Sequence, residues 1–110
     1  MHRLVVTAVL FVALSAGAAF GRPKPDPAIA RGHDTAQRAC AACHAVEKAG
    51  GDSPVTRAVP FASREMRHTV GLEGRLTDLT RDGHYGMPPV ALSAGELDDL
   101  RTYIESLRPR

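Results

Sequence analysis

The sequence predicts an all-α domain, and three observations predict it. From Ala28 to Cys40 the chain is rich in Ala, Gln and Arg. Ala28, Ile29, Gly32, Ala36, Ala39 and Cys40 recur there at three- and four-residue intervals, the spacing of one helix face. At the far end, Ser93 with Glu96 three residues later forms a capping box. Leu97, Leu100, Tyr103, Ile104 and Leu107 then trace an apolar stripe through about four turns. Finally, no strand-rich run lies near the two cysteines.

Taken in order, Met1-His2-Arg3 is a short positive start to the apolar run Leu4–Leu14, after which small residues accumulate. Residues 1–18 read as a secretory signal peptide, with cleavage as late as residue 21. The alternative is an uncleaved anchor, because Leu4–Phe20 approaches the shortest span that crosses a bilayer. Residues 19–27 form an extended lead-in whose prolines alternate with polar residues. Asp26-Pro27 can open a helix, with Pro27 in the first turn, where its missing N–H costs nothing. Residues 28–110 are then one small domain. Gly32 in mid-helix costs about 1 kcal/mol relative to Ala, a cost that makes sense if another helix packs closely over it.

Cys40-Ala41-Ala42-Cys43-His44 contains both cysteines of the chain. C-x-x-C-H is the attachment signature of c-type haem. Two thiols three positions apart lie on one side of a helical turn and can add to two vinyl groups along one porphyrin edge. The following imidazole then comes under the ring as a candidate iron ligand. A thioredoxin-like pair wants a βαβ setting, and a zinc site wants four protein ligands. A structural disulfide suits an exported chain but leaves His44 without a role. A domain of this size buries a modest core and gains from a staple such as a covalently held porphyrin.

Ala49-Gly50-Gly51-Asp52-Ser53-Pro54 is a turn cluster. Ala62–Val70 predicts a short helix carrying Met66, with Ser63, Arg64 and Arg67 toward solvent. Leu72, Leu76 and Leu79 predict a second short helix with one buried stripe, ended by Asp82-Gly83. In His84-Tyr85-Gly86-Met87-Pro88-Pro89 the two prolines hold the backbone extended and fix the direction of the Met87 thioether. Methionine is usually a core gap-filler. A methionine held between Gly86 and Pro88 in a loop packs poorly as one, which favours a ligand role. Pro109 stops the last helix.

With both ends read, the chain resembles the small monohaem class I bacterial cytochromes c. The resemblance rests on C-A-A-C-H at the end of a helix, G-D-S-P, the Pro60-Phe61 pair, G-H-x-x-M-P at Gly83–Pro88, and a final L-x-x-Y-I-x-x-L helix. It covers about Ala28 to Leu107. It implies a cytochrome c fold of about four helices wrapped around one covalently attached haem c, with the terminal helices crossing. Cys40 and Cys43 would form the thioethers, His44 the proximal ligand and Met87 the sixth ligand. A loop carbonyl near Ser53-Pro54, that of Pro54, would accept a hydrogen bond from the other ring nitrogen of His44. Gly32 would face Tyr103 where the helices cross. The chain departs from the family in having Ala36 where an aromatic residue is common. It also has no Trp, so Arg57, Arg64 and His68 become the candidates for a haem propionate. His84, three residues before Met87, is a competing ligand.

The function implied is electron transfer in the periplasm or outside the cell, between redox partner proteins. Two axial protein ligands leave no place for a substrate, and a Met/His pair raises the reduction potential. No acid–base pair or nucleophile constellation is evident, so no enzyme is expected. The formal net charge of +2, from 14 Lys and Arg against 12 Asp and Glu, gives no sign of nucleic acid binding. No stable membrane insertion is expected after signal cleavage. The alternatives are a haem enzyme or gas sensor with a labile sixth ligand, or a non-haem thiol oxidoreductase using Cys40 and Cys43.

Overall fold

The computed structural model describes residues 26–109 together with Gly17, Gly21 and Lys24; the signal peptide and most of the proline-rich lead-in lie outside the described residues. Four helices follow in order: α1 (Pro27–Ala39), α2 (Arg64–Gly71), α3 (Arg75–Asp82) and α4 (Ala94–Ser106). Among the described residues there is no strand, only one isolated bridge between His84 and Met87. No helix among them is long and apolar enough to cross a membrane.

The ends of the two long helices are set locally. The Asp26 side chain accepts from the Ala28 N–H at 2.9 Å, with Pro27 opening α1 behind it. Ser93 and Glu96 exchange both bonds of the capping box at 2.8 and 3.1 Å to start α4. Capping of this kind contributes about 1 kcal/mol.

These two helices make the main interface of the domain. Gly32 lies buried at their crossing, where a Cβ would run into the Asp99 carbonyl and stand 2.6 Å from Tyr103 Cβ. Glycine is needed here for close approach, as expected. Thr35 and Ala36 share its buried face. Around the rim, Arg31 donates to both carboxylate oxygens of Asp99 at 2.8 and 3.0 Å, and these hydrogen bonds hold the Asp99 carboxyl below its ordinary range. Arg38 pairs with Glu96 at 2.6 Å. Tyr103 donates its hydroxyl to the Val46 carbonyl at 2.6 Å, tying α4 to the loop that follows His44. Burial and the charge of Glu47 push that phenol up to about 12.

The core is small. Leu100 and Ile104 are the largest fully buried side chains, joined by Ala36, Val46, Phe61, Val70, Tyr103 and Leu107. The short helices differ in detail from the expectation. Ser63 and Arg67 are not simply solvated: the Ser63 hydroxyl accepts from the Met66 N–H at 3.1 Å as the cap of α2, and Arg67 donates to the Ala62 carbonyl at 2.8 Å. Leu72 is not on the α3 stripe. It ends α2, and α3 begins only after Gly74 turns the chain at φ 72°, so Leu72 is half exposed. The buried position on α3 belongs to Thr80, whose hydroxyl reaches the Leu76 and Thr77 carbonyls at 2.9 and 3.1 Å. That local bonding lets a polar residue be buried without an orphaned group.

Candidate haem site

The pentapeptide continues α1 as tight turns. Cys40 and Ala41 both donate their N–H to the Ala36 carbonyl at 2.9 and 3.0 Å, and Cys43 and His44 donate to the Cys40 carbonyl at 3.1 and 2.9 Å. Backbone bonds therefore fix the relative placement of both cysteines and the histidine. Both thiols are free rather than joined in a disulfide. Cys40 is buried in the core cluster, and burial pushes its thiol up to about 11; Cys43 and His44 are half-buried.

His44 Nδ1 lies 2.8 Å from the Val59 carbonyl. A carbonyl can only accept, so Nδ1 carries the proton and Nε2 keeps its lone pair. Among the described residues no side chain or backbone group bonds to Nε2. The Phe61 ring packs against the imidazole with centroids 5.3 Å apart. The acceptor is thus Val59, not a carbonyl at Ser53 or Pro54. Ser53 uses its hydroxyl to accept from the Ala45 N–H at 3.0 Å, and Pro54 is exposed. Two further bonds, Val55 N–H to Cys43 O at 3.1 Å and Phe61 N–H to Ala45 O at 2.9 Å, fold the loop back and bring the Val59 carbonyl to the edge of the ring at Nδ1. The available signal was the Val59-Pro60 dipeptide, because a residue before proline is held extended. Its place beside Phe61 marked that segment as the one returning to the site.

Met87 is half-buried on a separate loop. His84 and Met87 exchange both backbone bonds, at 3.0 and 2.8 Å, around a two-residue turn. Tyr85 at φ 40° and Gly86 at φ 88° give it the positive dihedrals of a type I′ turn. His84 is exposed, with its ring against that of Tyr85 at 4.0 Å between centroids. Arg57, Arg64 and His68 are all exposed.

This donor set fits a covalently bound haem. Two unpaired thiols stand three positions apart on one turn, followed by an imidazole whose tautomer leaves Nε2 ready for a metal, with its Nδ1–H oriented by a backbone carbonyl as ligating histidines require. A four-ligand zinc site is not supported, since no cluster of three or more His, Cys, Asp or Glu residues suited to a metal ion occurs among the described residues.

Comparison with known proteins agrees. The family described as cytochrome c oxidase, cbb3-type, subunit III, matches residues 27–104. Cytochrome c-552 of Bradyrhizobium diazoefficiens is 36% identical over 110 residues, covering 99% of this chain and 98% of its own length. No solved structure matches the chain. The matched span runs from the first residue of α1 to Ile104 in α4, so it takes in every element that builds the site. The chain belongs to this cytochrome c family, as a small monohaem class I electron-transfer protein with a covalently bound haem c.

Proposed function

We propose that the protein is a periplasmic one-electron carrier, with His44 and Met87 as the two axial ligands of the haem iron, and that it is not an enzyme. The observation that carries this reading is the state of His44: Nδ1–H donates a hydrogen bond to the Val59 carbonyl, and Nε2 is the nitrogen left to bind. Bound haem supplies a one-electron iron couple. The chain's own residues set how it is used. The Val59 carbonyl orients the imidazole and raises its basicity. The buried Phe61 ring packs against one side of it. Met87 offers a neutral sulfur, which favours ferrous iron and raises the potential. With His44 and Met87 both bound to the iron, a substrate would have to displace one of them to reach the metal. Export is supported by the positive start, apolar run and small-residue stretch of residues 1–18.

The test is the visible and near-infrared spectrum of protein matured with haem, alongside Met87→Ala and Met87→His. The unaltered ferric protein should be low-spin without added ligand and show the weak sulfur-to-iron band. Met87→Ala should lose the band and bind cyanide, and its ferrous form carbon monoxide. Met87→His should stay low-spin at a lower potential. High-spin unaltered protein would assign the site to a gas sensor or haem enzyme instead. If His84→Ala opens the site while Met87→Ala does not, His84 is the ligand. Amino-terminal sequencing of periplasmic protein should begin between residues 19 and 22.

A further inference from the structure

We propose that Gly83 is a positioning residue for Met87, and that Gly83–Val90 is a two-legged frame that fixes where the Met87 thioether stands. The inference rests on Met87 being the axial ligand.

Gly83 adopts φ 73°, ψ 174°, a region open essentially to glycine. It closes α3 by donating its N–H to the Leu79 carbonyl at 2.9 Å. A helix stop accounts for a glycine at positive φ but not for what crowds it. A Cβ at this position would stand 2.6 Å from the Met87 carbonyl oxygen and 3.2 Å from both Cδ and N of Pro89. That same carbonyl accepts from the His84 N–H at 3.0 Å. Glycine therefore lets the returning leg of the loop lie directly against the outgoing one. The returning leg is then tied down, as Val90 donates its N–H to the Thr80 carbonyl at 2.7 Å. Thr80 is buried within α3, so both legs hang from the end of a single helix. Between them, both backbone groups of Met87 are bonded to His84, and Pro88 and Pro89 stiffen the segment behind it.

The other glycine of the loop separates strain from collision. Gly86 also has a positive φ, 88°, but a Cβ there would meet nothing within 4 Å. Alanine at 86 strains the turn and leaves the two legs in place; alanine at 83 drives them apart.

The experiment follows the sulfur-to-iron band and the reduction potential of ferric, haem-loaded Gly83→Ala, Gly86→Ala and Met87→Ala. Far-UV helix signal and haem retention in acid acetone report folding and attachment. Gly83→Ala should keep its helices and covalent haem, lose most of the band and fall in potential, and its loss should clearly exceed that of Gly86→Ala. Suppose instead that Gly83→Ala retains full band and potential while Met87→Ala has lost the band. The positioning role is then overturned and Met87 remains the ligand. If Met87→Ala itself keeps the band, both readings fall. Equal loss in Gly86→Ala and Gly83→Ala also overturns the role, since strain would then suffice. If Gly83→Ala does not fold, Val90→Pro takes its place, removing the donor to Thr80 while leaving α3 whole. The same loss of band is expected from it, and an intact band refutes the frame.

Discussion

Replacing Gly32 with valine should be among the most damaging single changes outside the haem site. At the crossing of α1 and α4 an added Cβ stands 2.6 Å from Tyr103 Cβ and from the Asp99 carbonyl carbon. Carbon atoms in ordinary contact sit about 3.5–4.0 Å apart, so the helices must separate by about 1 Å. The obstacle is helix backbone and a Cβ, neither of which can rotate away. Overpacking of this kind costs about 1–3 kcal/mol. Parting the helices also weakens the Arg31–Asp99 pair at their rim. Helix propensity works the other way, because leaving glycine gains up to about 1 kcal/mol for alanine and less for a β-branched residue. The net for Gly32→Val is a loss of about 2 kcal/mol, and for Gly32→Ala a smaller one. Gly95, in the first turn of α4, is the internal control. A Cβ there meets only Ser93 Oγ at 4.0 Å, so Gly95→Ala should stabilise by about 0.4–1 kcal/mol. Urea titration of the haem-loaded proteins, read by far-UV circular dichroism, compares the midpoints directly. A Gly32→Val midpoint equal to that of the unaltered protein, at equal slope, would refute the close crossing.

Three further outcomes follow from the same structure. Cys40→Ala with Cys43→Ala should abolish retention of haem by the polypeptide in acid acetone, and haem extracted freely from the unaltered protein would overturn the attachment. Tyr103→Phe leaves the buried Val46 carbonyl without its donor and should cost about 1–3 kcal/mol near neutral pH. The Tyr103 phenol titrates at about 12 in the folded protein, above its ordinary 10. The folded state therefore holds this proton more tightly than the unfolded chain does. Its contribution is complete below pH 10 and is lost as pH rises toward 12, so the stability gap between Tyr103→Phe and unaltered protein should narrow across that interval. A gap independent of pH would show that the hydroxyl is not the buried donor.

What could be read from the sequence was what neighbouring residues decide. Asp26-Pro27 and Ser93/Glu96 announce the starts of α1 and α4 because a cap lies within three residues of what it caps. Cys40, Cys43 and His44 form their turn with backbone partners no more than four residues away. The acceptor for His44 is settled by bonds across the loop, from Ala45 to Ser53, Val55 to Cys43 and Phe61 to Ala45, and the extended Val59-Pro60 dipeptide is the one trace of it along the chain. Leu72 looked buried because its spacing to Leu76 and Leu79 is helical. Gly74 breaks the helix between them, and side-chain spacing does not register a break in backbone dihedrals. Thr80 escapes the apolar pattern for the opposite reason, being a polar residue made burial-tolerant by its own helix.

The closure of α1 on α4 has a consequence for what happens when the chain is cut. Arg31 and Asp99 are 68 residues apart in sequence, yet their helices are each other's principal neighbours. The stretch from Glu47 to Arg57 that lies between them is largely exposed, which is where proteases cut most readily. Cleavage there divides the molecule into a fragment that holds both thiols and His44 and a fragment that holds Phe61 and Met87. The first ends in free loop, and the second carries the α4 surface on which the first is seated. The severed halves should travel together under native conditions and come apart only in denaturant, so that a nicked molecule passes for an intact one until it is unfolded.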